Sequence, residues 1–381
     1  MNRKLLFVFL IFVMVFSLAT VVTAQDDDLP TVAIIRLGPL PPFLYSTQGT
    51  MDVLAAHGYV DGENIHIILS DAGMSVPDAN LLIKDALDKG VDYMITITTP
   101  VTIAAVNSTL DMEKPPVVLF NTVTDPYSAK IAQAPCIKPD YVWGSQALPD
   151  YANIMPMMWE VNPDIKRVGW IYSTSEPNAV ASTAIAEPLA EELGLTLVIK
   201  SVTESSEVAT AAEAIANEGV DAFFIPTDST VGAANAATLA VAESEGIPAF
   251  MADSLQVFTG MTVGAGVSYY QEGVDTGRVL IGLLNGELDI TTLGISKQSG
   301  TLIGVNLDSA AAEGVEIPQE FLDKADFIIK DGENIGADLT LPDVSEDEMT
   351  TMDQSFLDGL QCTPELIAEQ QAELDAAASS D

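Results

Sequence analysis

The sequence predicts an α/β fold: two doubly wound parallel-sheet lobes joined by a multi-crossing hinge. Three observations lead there. One phrase occurs twice, first as Gly90-Val91-Asp92, an apolar stretch, Thr98-Thr99-Pro100 and an alanine-rich segment. It returns at a constant offset as Gly219-Val220-Asp221, Phe223-Phe224-Ile225, Thr227-Asp228-Ser229 and a second alanine-rich segment. Each copy reads as a buried strand, a polar turn and a helix. Opening strands echo as well, in TVAIIRLG from Thr31 and RVGWIYST from Arg167, and Pro116 and Pro248 both precede later strands. Between the strands lie helical stretches long enough for right-handed crossovers. Any α/β protein repeats its βα unit, but several phrases echoing in the same order favour two similar lobes with a cleft between them.

The first 24 residues stand apart from this fold. Arg3 and Lys4 precede an apolar run from Leu5 to about Leu18, and Val22-Thr23-Ala24 offers small residues to a signal peptidase. A signal peptide over residues 1–24, cut between Ala24 and Gln25, is expected. The run is short for a membrane anchor, and no cysteine sits at the cut, so a bacterial lipid anchor is not expected. The mature chain is expected to be soluble and periplasmic or extracellular.

The first lobe is assigned to residues 31–145 plus about 267–290. Its opening strand runs into Gly38-Pro39-Leu40-Pro41-Pro42-Phe43, read as a turn because prolines fix φ and remove donors. A helix from about Ser46 to His57 is closed by Gly58. NIHIIL from Asn64 is a second strand, Asp78 to Lys89 a helix and Val91 to Ile97 the third strand. A helix from Pro100 to Leu110, a strand over Val117 to Phe120 and a turn from Asn121 to Pro126 follow. Residues 127–147 read as a crossing. The second lobe is assigned to residues 146–266 plus about 300–330, with helices near Tyr151 to Glu160, Asn178 to Leu193, Ser206 to Glu218 and Thr230 to Glu245. Gly264-Ala265-Gly266-Val267 returns the chain, the helix from Tyr269 to Leu284 packs on the first lobe, and Asp289 to Asn306 is a third crossing.

The chain has 381 residues, 48% of them hydrophobic, which suffices for two cores. Its formal net charge of −40 repels nucleic acid and anionic lipid. A salt-rich habitat explains that charge at least as well as a cationic ligand does. Cys136 and Cys362 are the two cysteines, and an even count in an exported chain makes them a candidate disulfide, with two free buried thiols as the alternative. Residues 331–381 form an acidic extension with no basic residue. They read either as a disordered tail or as a tethered segment ending in a helix capped at Thr363-Pro364-Glu365.

Ligands of open parallel sheets bind beyond the carboxyl ends of the strands. Four turns fall there: Thr98-Thr99-Pro100, Asn121 to Asp125, Thr227-Asp228-Ser229-Thr230 and Asp253-Ser254. Pro100 at the start of a helix leaves N–H groups and the Thr98 and Thr99 hydroxyls free to hold a carboxylate. Asp228, at the matching place in the second copy, suits an ammonium group, and Asp253 lies at the next strand end. Thr99, Asp228 and Ser229 also suit plain helix caps, and Asp125 before Pro126 a plain turn. Phe43 and Tyr45 either stack on an apolar ligand moiety or pack the loop. No catalytic constellation, metal-ligand spacing or phosphate loop is present, so no catalytic residue, metal or cofactor is assigned.

Several phrases resemble one family in its order: HGYVDGEN from His57, Val91-Asp92 with Thr98-Thr99-Pro100, Val123-Thr124-Asp125-Pro126, PTDSTV from Pro226, and Gly266-Val267-Ser268-Tyr269-Tyr270 with Gly273. With Val305-Asn306-Leu307, this is similar to ABC transporter substrate-binding proteins of the tryptophan/tyrosine-binding type, over about residues 31 to 328. The resemblance implies a type I periplasmic-binding-protein fold, delivery to a membrane permease, and no catalysis. It places Thr98, Thr99, Thr124, Asp125, Asp228 and Asp253 in the cleft turns. Asn121 stands where the family has threonine, which alters the expected pocket hydrogen bonding. The expected function is capture of an amino acid or similar small polar solute by hinge closure. A ligand-sensing module for a membrane receptor is the alternative, and an α/β enzyme a more distant one.

Overall fold

A computed structural model describes residues 29–336 and 354–379. The expected signal peptide and part of the acidic extension lie outside the described residues. In chain order the strands are β1 (Thr31–Arg36), β2 (His66–Asp71), β3 (Tyr93–Ile97), β4 (Val117–Val123), β5 (Val142–Gln146), β6 (Arg167–Ser173), β7 (Thr196–Val202), β8 (Ala222–Ile225), β9 (Ala249–Met251), β10 (Val263–Gly266), β11 (Ser296–Lys297), β12 (Leu302–Asn306), β13 (Phe327–Lys330) and β14 (Glu333–Asn334). The helices are α1 (Pro41–Ala56), α2 (Val76–Asp88), α3 (Thr99–Thr109), α4 (Tyr151–Ile154), α5 (Met157–Val161), α6 (Pro177–Leu193), α7 (Val208–Asn217), α8 (Ser229–Gly232), α9 (Asn235–Glu245), α10 (Tyr269–Leu284), α11 (Leu307–Ala312), α12 (Gln319–Leu322), α13 (Gln354–Gly359) and α14 (Pro364–Ala378).

Two sheets result. The first has the order β11-β5-β4-β3-β1-β2, with parallel pairing throughout. The second has the order β14-β13-β12-β10-β9-β8-β6-β7, parallel except where β12 meets β10 and β14 meets β13. The second strand of each lobe lies outside the first and the third lies inside it, the arrangement of a doubly wound sheet. Central strands such as TVAIIR are buried through their middle because helices cover both faces, so they read as continuous apolar runs.

The doubled phrase has a local explanation. Gly90 and Gly219 both take φ of 70°, ending the preceding helix in the left-handed region. Val91 and Val220 are buried. Asp92 then accepts the Thr31 N–H at 2.8 Å, and Asp221 accepts the Lys166 and Arg167 N–H groups at 2.8 Å each. In each lobe, Gly-Val-Asp ties the third strand to the start of the first, at the edge away from the strand-end turns.

The structure departs from the sequence reading at several places. Helix α1 begins at Pro41 rather than Ser46, because the prolines fall at its first two positions, where the missing N–H would have no helical partner. Strand β4 continues through Asn121, Thr122 and Val123, and β5 joins the first sheet, so the first crossing is confined to the residues after Gln146. The helix expected over 151–160 is broken at Met155-Pro156. The one expected over 230–245 breaks at Ala233-Ala234, where Asn235 turns its buried amide to Gln256 at 3.0 Å.

The chain passes between sheets after Gln146, after Gly266 and between Lys297 and Leu302. Gln298 pins these passages together: its N–H donates to the Gln146 carbonyl at 2.9 Å, and its side-chain amide donates to Ser145 and Asp275 at 3.1 Å each. Cys136 and Cys362 form a disulfide with Cα atoms 5.7 Å apart. It fastens the C-terminal segment to the first lobe, where Leu357 and Leu360 enter the core. Helix α14 beyond it buries no residue.

Helix α10 returns to the first lobe and lies on α1 at very close range. A Cβ on Gly273 would stand 2.0 Å from the Ser46 carbonyl oxygen, and one on Gly49 would stand 2.1 Å from that of Tyr270. Backbone cannot yield as a flexible side chain can. Gly273→Ala should therefore destabilise the protein by about 2 kcal/mol or more, read as a lower urea midpoint. An unchanged midpoint would show that the two helices separate freely.

Candidate functional site

The C-terminal ends of the two sheets face each other and enclose a small cavity. The first lobe contributes Pro42 and Phe43 from the first turn of α1, Thr99 at the start of α3, and Thr122 and Thr124 from the end of β4 and the following turn. The second contributes Asn178, Thr227, Asp228, Ser229, Met251, Asp253 and Gln256, while Ala147 and Tyr269 come from the passages between lobes. The cavity volume is about 30 Å³, room for about two waters. The lobes touch across it, with the Thr124 and Thr227 hydroxyls 3.0 Å apart. Beside the cavity, Leu37, Met74, Pro100 and Ile103 face Glu176, Ser229 and Thr230 across a groove of about 510 Å³.

Of the residues singled out in the sequence, Phe43, Thr99, Thr124, Asp228 and Asp253 line the cavity, whereas Thr98, Asn121, Asp125 and Tyr45 do not. Asp228 caps α8, accepting the Val231 N–H at 2.9 Å and the Ser173 N–H at 2.5 Å. Asp253 accepts the Leu255 N–H and the Gln256 side-chain amide, both at 3.0 Å. Thr98 stands directly behind the cavity, with φ of 98° and ψ of 154° and a buried hydroxyl that has no partner. That region of backbone space is nearly closed to residues other than glycine and costs on the order of 1–3 kcal/mol. Asn121 turns away to accept the Thr276 hydroxyl of α10. Asp125 closes a turn by accepting the Tyr127 N–H at 3.0 Å, and Tyr45 packs against core residues.

Sequence reasoning missed Asn178, Glu176 and Tyr269. Asn178 is 4% exposed, donates to the Thr227 carbonyl at 2.8 Å and leaves its own side-chain oxygen without a partner at the cavity. Glu176 is buried and accepts the Ser229 and Thr230 N–H groups at 3.1 and 2.7 Å, holding the start of α8 from the neighbouring strand end. Pro177 at the first turn of α6 was the signal that a strand-end turn lay there. Tyr269 sits at the first position of α10, in a phrase that carried the family resemblance but was not assigned to the cleft.

A family model described as ABC transporter substrate binding protein matches residues 31–329. A tyrosine-binding protein of Clostridioides difficile (strain R20291) is 25% identical over 295 residues, covering 75% of this chain and 83% of that protein. A ligand-free, open substrate-binding protein with adhesive properties from Clostridium difficile is 26% identical, with a TM-score of 0.61 over 79% of this chain and 99% of its own. An ABC domain from Streptococcus pneumonia, solved with L-Trp, shares the fold at 22% identity, with a TM-score of 0.73 over 79% of this chain and 100% of its own.

No residue lining the cavity is basic, and burial dominates its electrostatics. It pushes the Asp228 carboxyl well above the usual range, with the Glu176 charge adding to the effect. It pushes Asp253 up to about 6, against the hydrogen bonds from Gln256 and Leu255. Away from the cavity, burial also raises Glu313, to about 7. Groups raised in this way hold protons more tightly folded than unfolded, so their contribution is fully present below the unfolded pKa and is lost as pH rises through the folded one. For Asp253 the window runs from about 4 to about 6. Denaturation at pH 5 should therefore show more stability than at pH 7.5, with Asp253 supplying about 1 kcal/mol of the difference. Asp253→Asn should remove that share, and an unchanged pH slope would place the charge elsewhere.

Proposed function

The chain belongs to the ABC transporter substrate-binding proteins, a family that works outside the cytoplasm with a membrane permease, and from that premise we propose that its cleft captures an aromatic L-amino acid. One observation carries the reading: the interlobe cavity combines two buried carboxyl groups and two aromatic rings with no basic side chain. Asp228, Asp253 and the unpartnered oxygen of Asn178 offer acceptors to an ammonium group. The threonine hydroxyls and free N–H groups at the start of α3 offer donors to a carboxylate. Phe43 and Tyr269 supply surfaces for a ring. The tyrosine-binding relative and the L-Trp-bound fold neighbour support this choice of solute.

A cavity of about 30 Å³ is too small for such a solute, so binding requires the Thr124–Thr227 contact to part and the lobes to close again around the ligand. The energy of contacts made to both lobes then favours the closed arrangement. The leader at residues 1–24 would serve export, and permease docking would follow closure, so this subunit captures and hands over its solute unchanged.

L-tyrosine, L-tryptophan, the remaining amino acids, myo-inositol and L-rhamnose form a suitable thermal-shift and calorimetry panel. The aromatic amino acids should stabilise the protein, by about 2.7 kcal/mol at 100 times the dissociation constant. Asp228→Asn cannot accept both backbone N–H groups and carries no charge for an ammonium group, so it should bind at least about tenfold more weakly, the loss expected for a charge-assisted hydrogen bond. A response to a sugar with none to any amino acid would overturn the assignment.

A further inference from the structure

The end of β4 is irregular. Phe120 pairs with Gly144 and Val123 with Gln146, so Asn121 and Thr122 together stand opposite Ser145, and one residue of β4 is extra. This is a β-bulge, a device that re-aims a side chain and frees backbone groups from the ladder. Thr122 takes φ of 57°, in the left-handed region, and is one of the residues that line the cavity. A freed N–H beside a closed cavity must find another acceptor or incur a desolvation cost. It finds Glu272 of α10, whose carboxyl oxygen lies 2.9 Å from the Thr122 nitrogen.

Glu272 is completely buried. Burying a carboxyl group is costly unless it is hydrogen-bonded, and the bond it makes is to the bulge. One turn further along the same face, Thr276 donates its hydroxyl to the Asn121 side chain. Positions four apart on a helix lie one above the other, so α10 grips both residues of the bulge at once. The same helix follows the second passage between lobes, is held to α1 at Gly273, and presents Tyr269 to the cavity.

We propose that Glu272 is a positioning residue of the ligand site: from behind the cleft wall it holds the β4 bulge so that Thr122 and Thr124 face the solute. Thr276 supports the same bulge through Asn121. Burial, reinforced by Asp275, keeps the Glu272 carboxyl well above the usual range, so a neutral glutamine that retains the acceptor oxygen is a fair replacement and alanine is not.

The test pairs two readouts on the full chain. Residue-resolved hydrogen exchange at the Thr122 amide should accelerate tenfold or more in Glu272→Ala, stay within about threefold of wild type in Glu272→Gln, and leave Val118 and Leu119 protected. Calorimetry with L-tyrosine and L-tryptophan, well below the melting temperature, should show affinity at least tenfold weaker in Glu272→Ala and rescued to within about twofold in Glu272→Gln. The affinity arm rests on the aromatic amino-acid reading and the exchange arm does not: if wild type binds neither amino acid, that reading fails while exchange still decides the role of Glu272. If Glu272→Ala does not fold, Thr276→Val carries both arms, with at least threefold effects expected at the bulge. Unchanged exchange at Thr122 overturns the proposal. So does accelerated exchange with unaltered affinity in a protein whose wild type binds, since Glu272 would then serve the fold alone.

Discussion

Parallel pairing makes every strand in a run end at the same edge of its sheet, and three passages between the sheets turn the two edges toward each other. The rest of the molecule depends on that polarity. It gathers the turns after β3, β4, β8 and β9 around one small space, although they are far apart in sequence. It also explains why the doubled phrase has two characters. Its Gly-Val-Asp end closes each sheet at the far edge, the aspartate accepting the N–H of the first residue of the opening strand in both lobes. Its threonine end faces the partner lobe, and there the copies differ.

That difference is chemical as well as positional. In the first lobe, Thr98 holds a backbone conformation suited to glycine beside the start of α3, and Thr122 occupies a bulge. In the second, Asp228 and Glu176 hold the short helix α8 with buried carboxylates. One wall carries strained backbone and hydroxyls, the other carboxyl groups whose charge is costly to bury. Both are expensive to maintain, and strained backbone and buried charge of this kind cluster at functional sites. The great acidity of the chain adds little to this reading, because only a few buried acids lie at the cleft while most of the others among the described residues lie on the surface.

The sequence made the two lobes legible because periodicity, turn residues and the echoed phrases all report on regular structure. The return of α10 to the first lobe was readable for the same reason. Cleft residues were legible where a strand simply stops and a helix starts, as at Thr99 and Asp228. Elsewhere the signal failed for physical reasons. A bulge leaves no mark in hydrophobic pattern, so Asn121 and Thr122 read as a turn. Consecutive prolines at Pro41 and Pro42 read as a breaker when they were a helix start. Glu176, Asn178 and Glu272 act through partners more than forty residues away, and apart from Pro177, which marks a turn without naming its partners, nothing in their own neighbourhoods announces it.

The central claim is that a solute taken between the lobes changes how they sit, and an interlobe distance measures this directly. Both native cysteines are engaged in the disulfide, so spin labels can be placed on introduced cysteines at Leu81 of α2 and Glu204 beyond β7, both exposed and in different lobes. Pulsed electron spin resonance should show a broad or two-peaked distance distribution without ligand. Saturating L-tyrosine or L-tryptophan should collapse it to a single narrow, shorter peak. A distribution that is identical with and without a bound amino acid would contradict the account.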